Sequence, residues 1–174
     1  MKKVIIKENQ RGLLFRNGKY KKLLGPGKYC ECFGRSIEAV SLEQSIRSEH
    51  CPLEVLLADE DLKKLVEVVE VADDRLALHF VDGRFHAALR CGKYAFWKIH
   101  HTHTFRLVDV STPEIPADVS PYVLSKMVGL VVSAEVPDGQ EGKLYFDHKF
   151  VRDLKPGTHR FWKINVKVDV VVDP

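Results

Sequence analysis

The chain has no apolar run approaching the roughly 20 residues that a membrane-crossing helix needs. Its start, Met-Lys-Lys-Val-Ile-Ile-Lys-Glu, holds too short an apolar stretch for a signal peptide. It has no Cys-x-x-Cys. The four cysteines, at 30, 32, 51 and 91, fit reduced structural thiols in a cytosolic setting better than a disulfide framework. Gly-x-Ser-x-Gly is missing, and Ser36, Ser41, Ser45 and Ser48 have no nucleophile motif around them. Gly25-Pro26-Gly27 is too short to cradle a phosphate and carries proline where a donor N–H would be needed. Acid groups such as Asp59-Glu60-Asp61 and Asp73-Asp74 fall where caps and turns are expected. These absences argue against an enzyme and imply no cofactor. Charge of one sign is also scarce. A net charge of +3 permits an anionic surface as partner without requiring one. With 45% apolar and 29% charged residues, the composition is that of a folded globular chain.

What is present is a repeat. Leu24-Gly25-Pro26-Gly27-Lys28-Tyr29 recurs as Leu-Arg-Cys-Gly-Lys-Tyr at 89–94 and as Leu-Lys-Pro-Gly-Thr-His at 154–159. Gly27, Gly92 and Gly157 are 65 residues apart (92−27 and 157−92). Sliding by that period carries Phe15 to Phe80 and Tyr145, Gly18 to Gly83 and His148, and Tyr20 to Phe85 and Phe150, without a gap. The reading is a mainly β chain with short helical connectors, made of three tandem small antiparallel modules. Their boundaries are placed at 1–60, 61–118 and 119–174.

Within a copy the strands are short. Apolar runs at 3–8 and 12–16 lead to Asn17-Gly18, a hairpin signal because both residues tolerate positive φ; Asp82-Gly83 repeats it. Returning strands follow at 20–24 and 36–42, and 165–173 alternates with Val166, Val168, Val170 and Val172 on one face. In Gly25-Pro26-Gly27, proline suits position i+1 and glycine i+2 of a type II turn. Only position 27 and its equivalents keep glycine, so only they are expected to need positive φ. Residues 56–65 read as a helix capped by Asp59, and 120–127 as one with Ser120 as cap and Pro121 at its first position. A small antiparallel sheet cannot bury its apolar face alone, so neighbouring copies are expected to cover one another.

Three constellations are candidates for function. His101 and His103, in the run 100–103, would project from one face of a strand as paired metal ligands do. A third ligand from His79, His86 or Cys91 would have to converge on them. In the gapless alignment they fall opposite Ser36 and Glu38, and Val166 and Val168, which favours a variable strand position over a metal site. Tyr29 and the identical Phe-Trp-Lys-Ile segments, with Phe96, Trp97, Phe161 and Trp162, suit core packing or a contact with another copy or subunit. A nucleic-acid stacking platform fits them less well, and no nucleic acid is expected as a partner. Arg11, Arg16, Lys19, Lys21 and Lys22, with Lys28, make the first hairpin basic. A solvated face is the ordinary reading of such a cluster and an anionic lipid surface the functional one.

Residues 8–29, Glu-Asn-Gln-Arg-Gly-Leu-Leu-Phe-Arg-Asn-Gly-Lys-Tyr-Lys-Lys-Leu-Leu-Gly-Pro-Gly-Lys-Tyr, resemble the opening segment of band 7 (SPFH) proteins of the stomatin and slipin type. The third copy resembles it again, through Val136-Pro137-Asp138-Gly139, Lys155-Pro156-Gly157 and the valine-aspartate strand 168–173, which in the family leads into the band 7 body. The likeness covers that segment three times, but neither the family's later body and coiled coil nor its preceding membrane hairpin. Repeats of similar flavour occur in the arms of major vault protein. The resemblance implies a non-catalytic scaffold that self-associates and binds protein partners or a membrane surface. It implies a cytoplasmic setting, with peripheral attachment at the inner membrane, and continuation beyond Pro174 into a band 7 body. The alternative is a histidine-based metal enzyme or sensor using His101 and His103.

Overall fold

A computed structural model describes residues 2–173. Positive-φ pairs set its frame. Asn17-Gly18 (φ 50° and 81°) and Asp82-Gly83 (51° and 80°) turn two hairpins, and Asp147-His148 (49° and 67°) turns a third without glycine. Such two-residue turns match the twist of the strands they join.

The first copy comprises β1 (Lys2–Ile6), β2 (Gln10–Arg16), β3 (Lys19–Leu24), β4 (Gly27–Glu31) and β5 (Arg35–Ser41). Helices α1 (Leu53–Leu57) and α2 (Glu60–Lys63) lead to β6 (Val66–Val71), β7 (Arg75–Val81), β8 (Arg84–Leu89), β9 (Gly92–Trp97) and β10 (His103–Asp109). Helix α3 (Pro121–Ser125) precedes β11 (Val131–Val136), β12 (Glu141–Phe146), β13 (Lys149–Leu154), β14 (Gly157–Trp162) and β15 (Val168–Asp173). Each set of five strands forms two sheets, a two-stranded ribbon (β1-β4, β6-β9, β11-β14) and a three-stranded sheet (β3-β2-β5, β8-β7-β10, β13-β12-β15). The protein is mainly β, built from small open antiparallel sheets with short helices between them. Asp59 caps α2 through the Asp61 and Leu62 N–H groups, and Ser120 caps α3 with Pro121 at its first position.

The expected single helix over 56–65 is two short ones, because the chain turns extended at Asp59, which lets that residue set its carboxylate on the start of the second. The gapless alignment also fails in one loop. β5 begins at Arg35 and β10 at His103, 68 residues on, so three extra residues lie between the fourth and fifth strands of the second copy. The third copy shares the shift: Phe15 faces Ser36, whereas Tyr145 faces Asp169. His103 therefore matches Arg35 rather than Glu38, and His101 lies in the loop.

By contacts the chain divides into two units, one of residues 1–70, 81–83 and 93–104, the other of 71–80, 84–92 and 105–174. The first is centred on Leu13, Phe15, Leu42, Ile46, Leu56, Leu62, Val66, Ala95 and Trp97. The sheet of one copy thus packs on the helices that follow it and on the ribbon of the next copy. The second unit repeats the scheme with Leu78, Val108, Val123, Leu124 and Trp162, and holds a smaller core of Val136, Leu144, Leu154 and Phe161.

Candidate functional site

Gly27, Gly92 and Gly157 have φ of 154°, 145° and 135°, a region that only glycine enters without strain. Each is the first residue of a strand. A type II turn would hold its glycine near 80°, so the corner is a bend that opens directly into β4, β9 or β14. Gly25 is not among the positive-φ residues.

The five aromatics separate. Trp97, Phe161 and Trp162 are each no more than 2% exposed. As rings for another subunit to grip they are corrected to core residues. Tyr29 donates its hydroxyl to the Gly25 carbonyl at 2.8 Å and braces the bend. Phe96 stacks on His103 with ring centroids 5.3 Å apart.

The two histidines take different partners. His101 Nδ1 donates to Asp82 Oδ2 at 2.7 Å and Nε2 stands 3.6 Å from Glu43, while His103 Nε2 donates to the Trp97 carbonyl at 2.9 Å. His79 stacks on Phe105 and meets His86 edge-on; Cys91 is exposed. Among the described residues no group of three or more His, Cys, Asp and Glu side chains is placed to hold a metal ion. The hydrogen bond to Asp82 raises His101 above its ordinary pKa. Asp82 is held below its own, first by the Thr102 N–H and then by His101.

The basic residues converge. Arg16, Lys19, Lys21 and Lys22 line a depression of about 690 Å³ together with Leu14, Asn17 and Arg35, and no carboxylate lines it. Arg11 stands apart, its guanidinium turned to the Gln10 carbonyl at 2.6 Å. The register places Arg16 directly opposite Lys19 on β3 and Arg35 on β5, a row of three cations across one sheet. Like charges so opposed destabilise a sheet. The fold does not demand them, since the corresponding row of the third copy is Lys149, Phe146 and Val168.

Two residues that sequence reasoning passed over complete the site. Arg35 supplies the fifth cation. Phe33, at φ 55° with Gly34 at 78°, forms the tip of the turn between β4 and β5, and its side chain is 86% exposed. That tip abuts the first hairpin, where Asn17 N–H donates to the Gly34 carbonyl at 2.8 Å. A Cβ at Gly34 would lie 2.4 Å from Asn17 Oδ1, so glycine is required for the approach. The sequence signal was a residue-glycine pair between two short strands, weak here because phenylalanine seldom enters the left-handed region.

No family model, curated protein or solved structure matches the chain.

Among the described residues no helix is long and apolar enough to cross a membrane.

Proposed function

We propose that the chain is a non-catalytic scaffold of the slipin-like, band 7 kind that self-associates and docks on an anionic membrane surface through its first copy. The observation that carries this reading is the pairing of an almost fully exposed Phe33 with five cations that have no carboxylate among them. Phenylalanine gains by entering the headgroup boundary, and each exposed cation contributes roughly 1 kcal/mol near acidic lipid. A strained aromatic tip and a row of opposed cations both cost stability, which supports a role outside the fold. The opening segment, with its Arg-Gly, basic hairpin and Leu-Gly-Pro-Gly, supports the band 7 assignment.

The test is co-sedimentation with vesicles of phosphatidylcholine alone or mixed with phosphatidylserine. Binding is expected only with the anionic lipid, falling as salt rises. The pair Arg16→Glu and Arg35→Glu should abolish it, and Phe33→Ser should weaken it even at low salt. No binding to anionic vesicles at low salt would defeat the proposal.

A further inference from the structure

The outer face of the first copy's three-stranded sheet is covered by α1, α2 and the next ribbon, through Ala95 and Trp97. The second copy's sheet is covered in the same way by α3 and Trp162. The third copy has the same face. Tyr145 lies opposite Phe150 and Asp169, Lys143 opposite Asp153 and Val171, and Glu141 opposite Asp173. Phe150, at the position of Tyr20 and Phe85, is 55% exposed, Val171 is 48% exposed, and neither belongs to a core. Among the described residues no helix or ribbon covers them.

A matching surface exists on the first ribbon. Lys3 lies opposite Cys30 and Ile5 opposite Lys28, so these four share a face of β1-β4. It is the face that, in the second ribbon, carries Val68 and the core residue Ala95. Ile5 is 60% exposed. The charges are opposite. The uncovered sheet sets four acids, Glu141, Asp153, Asp169 and Asp173, against Lys143, while the ribbon sets Lys3 and Lys28 where Val68 and Lys93 stand in the second copy. A face meant only for solvent, as in a capping repeat, would not keep the aromatic pair Tyr145 and Phe150 in edge contact at its middle.

We infer that the outer face of the last sheet receives the first ribbon of a second copy of this chain, repeating between molecules the sheet-on-ribbon packing seen within each unit. The two surfaces differ, so the contact is head-to-tail and does not close by twofold symmetry. The inference deepens the self-association in the proposed function and rests on that reading. It does not use the basic depression.

Sedimentation velocity of the full chain without lipid tests it. The average mass should rise with protein concentration, and less so at high salt. Phe150→Arg, which blocks the sheet, and Lys3→Glu with Ile5→Glu, which blocks the ribbon, should each weaken association about tenfold or more. Their equimolar mixture should form a dimer, because each variant keeps one competent surface. These side chains are exposed, and circular dichroism checks that the variants fold. A monomer at every concentration would make the sheet a solvated cap and overturn the inference. So would association lost with Phe150→Arg but untouched by the ribbon changes, which is the mark of sheet-to-sheet pairing. Vesicle binding by the same variants reports on the membrane reading separately.

Discussion

The phenol of Tyr20 donates to Asp59 Oδ2 at 2.6 Å, while the other oxygen of that carboxylate accepts from the Asp61 N–H at 3.0 Å and caps α2. One acid thus fastens the edge strand of the first sheet to the helix that covers it. Burial, and then Asp59, raise the pKa of the phenol, so it stays protonated as a donor. Asp59→Ala should cost about 2 kcal/mol, from a lost cap and an unpaired phenol, and Tyr20→Phe about 1 kcal/mol. Urea unfolding of both and of the double variant checks this, and the two losses should sum to more than the double variant's. At the corresponding position Phe85 packs against the second core without a hydroxyl.

Asp82 holds the loop before β10 by accepting from the Thr102 N–H at 2.8 Å and from His101. Asp147 repeats the backbone contact with the Lys167 N–H at 2.9 Å, without the histidine. The His101 contribution is complete below its ordinary pKa of 6.5 and is lost as pH rises through the raised folded value. The Asp82 contribution is complete above 3.8 and is lost as pH falls through the lowered folded value. Thermal stability should therefore fall as pH rises above 6.5. Asp82→Asn, which can still accept from Thr102, should remove most of that dependence and leave the part owed to Glu43. Both groups are exposed, so the effect should shrink in high salt. Melting temperatures of the two proteins across pH 5 to 9 decide it, and parallel curves would count against the pair.

Four of the five strands of each copy were legible because Gly27, Gly92 and Gly157 and the turn pairs recur at fixed spacing and have a conformational reason to. The strand that each of those glycines opens, β4, β9 or β14, reads in the sequence only as a passage towards the last strand. The caps Asp59 and Ser120 were legible for the same kind of reason. The three-residue shift before β10 was not. The linker from β5 to β6 has 24 residues (42–65) and that from β10 to β11 has 21 (110–130), so the two changes cancel in the period. Nor could the sequence separate core from surface among identical motifs. Trp97 and Trp162 are buried because the preceding sheet receives each of them, which is a property of order along the chain, whereas Phe161 is buried and its equivalent Phe96 only half-buried. Within the site, the cations of one hairpin were visible, but Arg35 joins them only through the β2-β5 register, and Phe33 only through an uncommon turn.

The glycine corner gives a graded prediction. Gly92→Val forces a β-branched residue to φ 145°, whereas a Cβ at Gly25 meets nothing within 4 Å and needs no positive φ. The first should cost more than the second by about 1 kcal/mol or more. Denaturant midpoints compare them, and equal losses would mean that the bend relaxes without strain.

The third hairpin should be improvable. Asp147-His148 occupies the turn that Asn17-Gly18 and Asp82-Gly83 make elsewhere, and His148 holds φ 67° where both other copies have glycine. A side chain in that region costs roughly 1–2 kcal/mol, and glycine gives part of it back through its greater freedom when unfolded. His148→Gly should then raise stability by about 0.5–1 kcal/mol. Gly83→Ala, with φ 80° and open space around its Cβ, should lower it by a similar amount. The two changes act on the backbone alone, so both should shift the urea midpoint without altering its slope. A loss on His148→Gly would mean that the imidazole makes a contact worth more than the strain, and a pH titration of that loss would identify it.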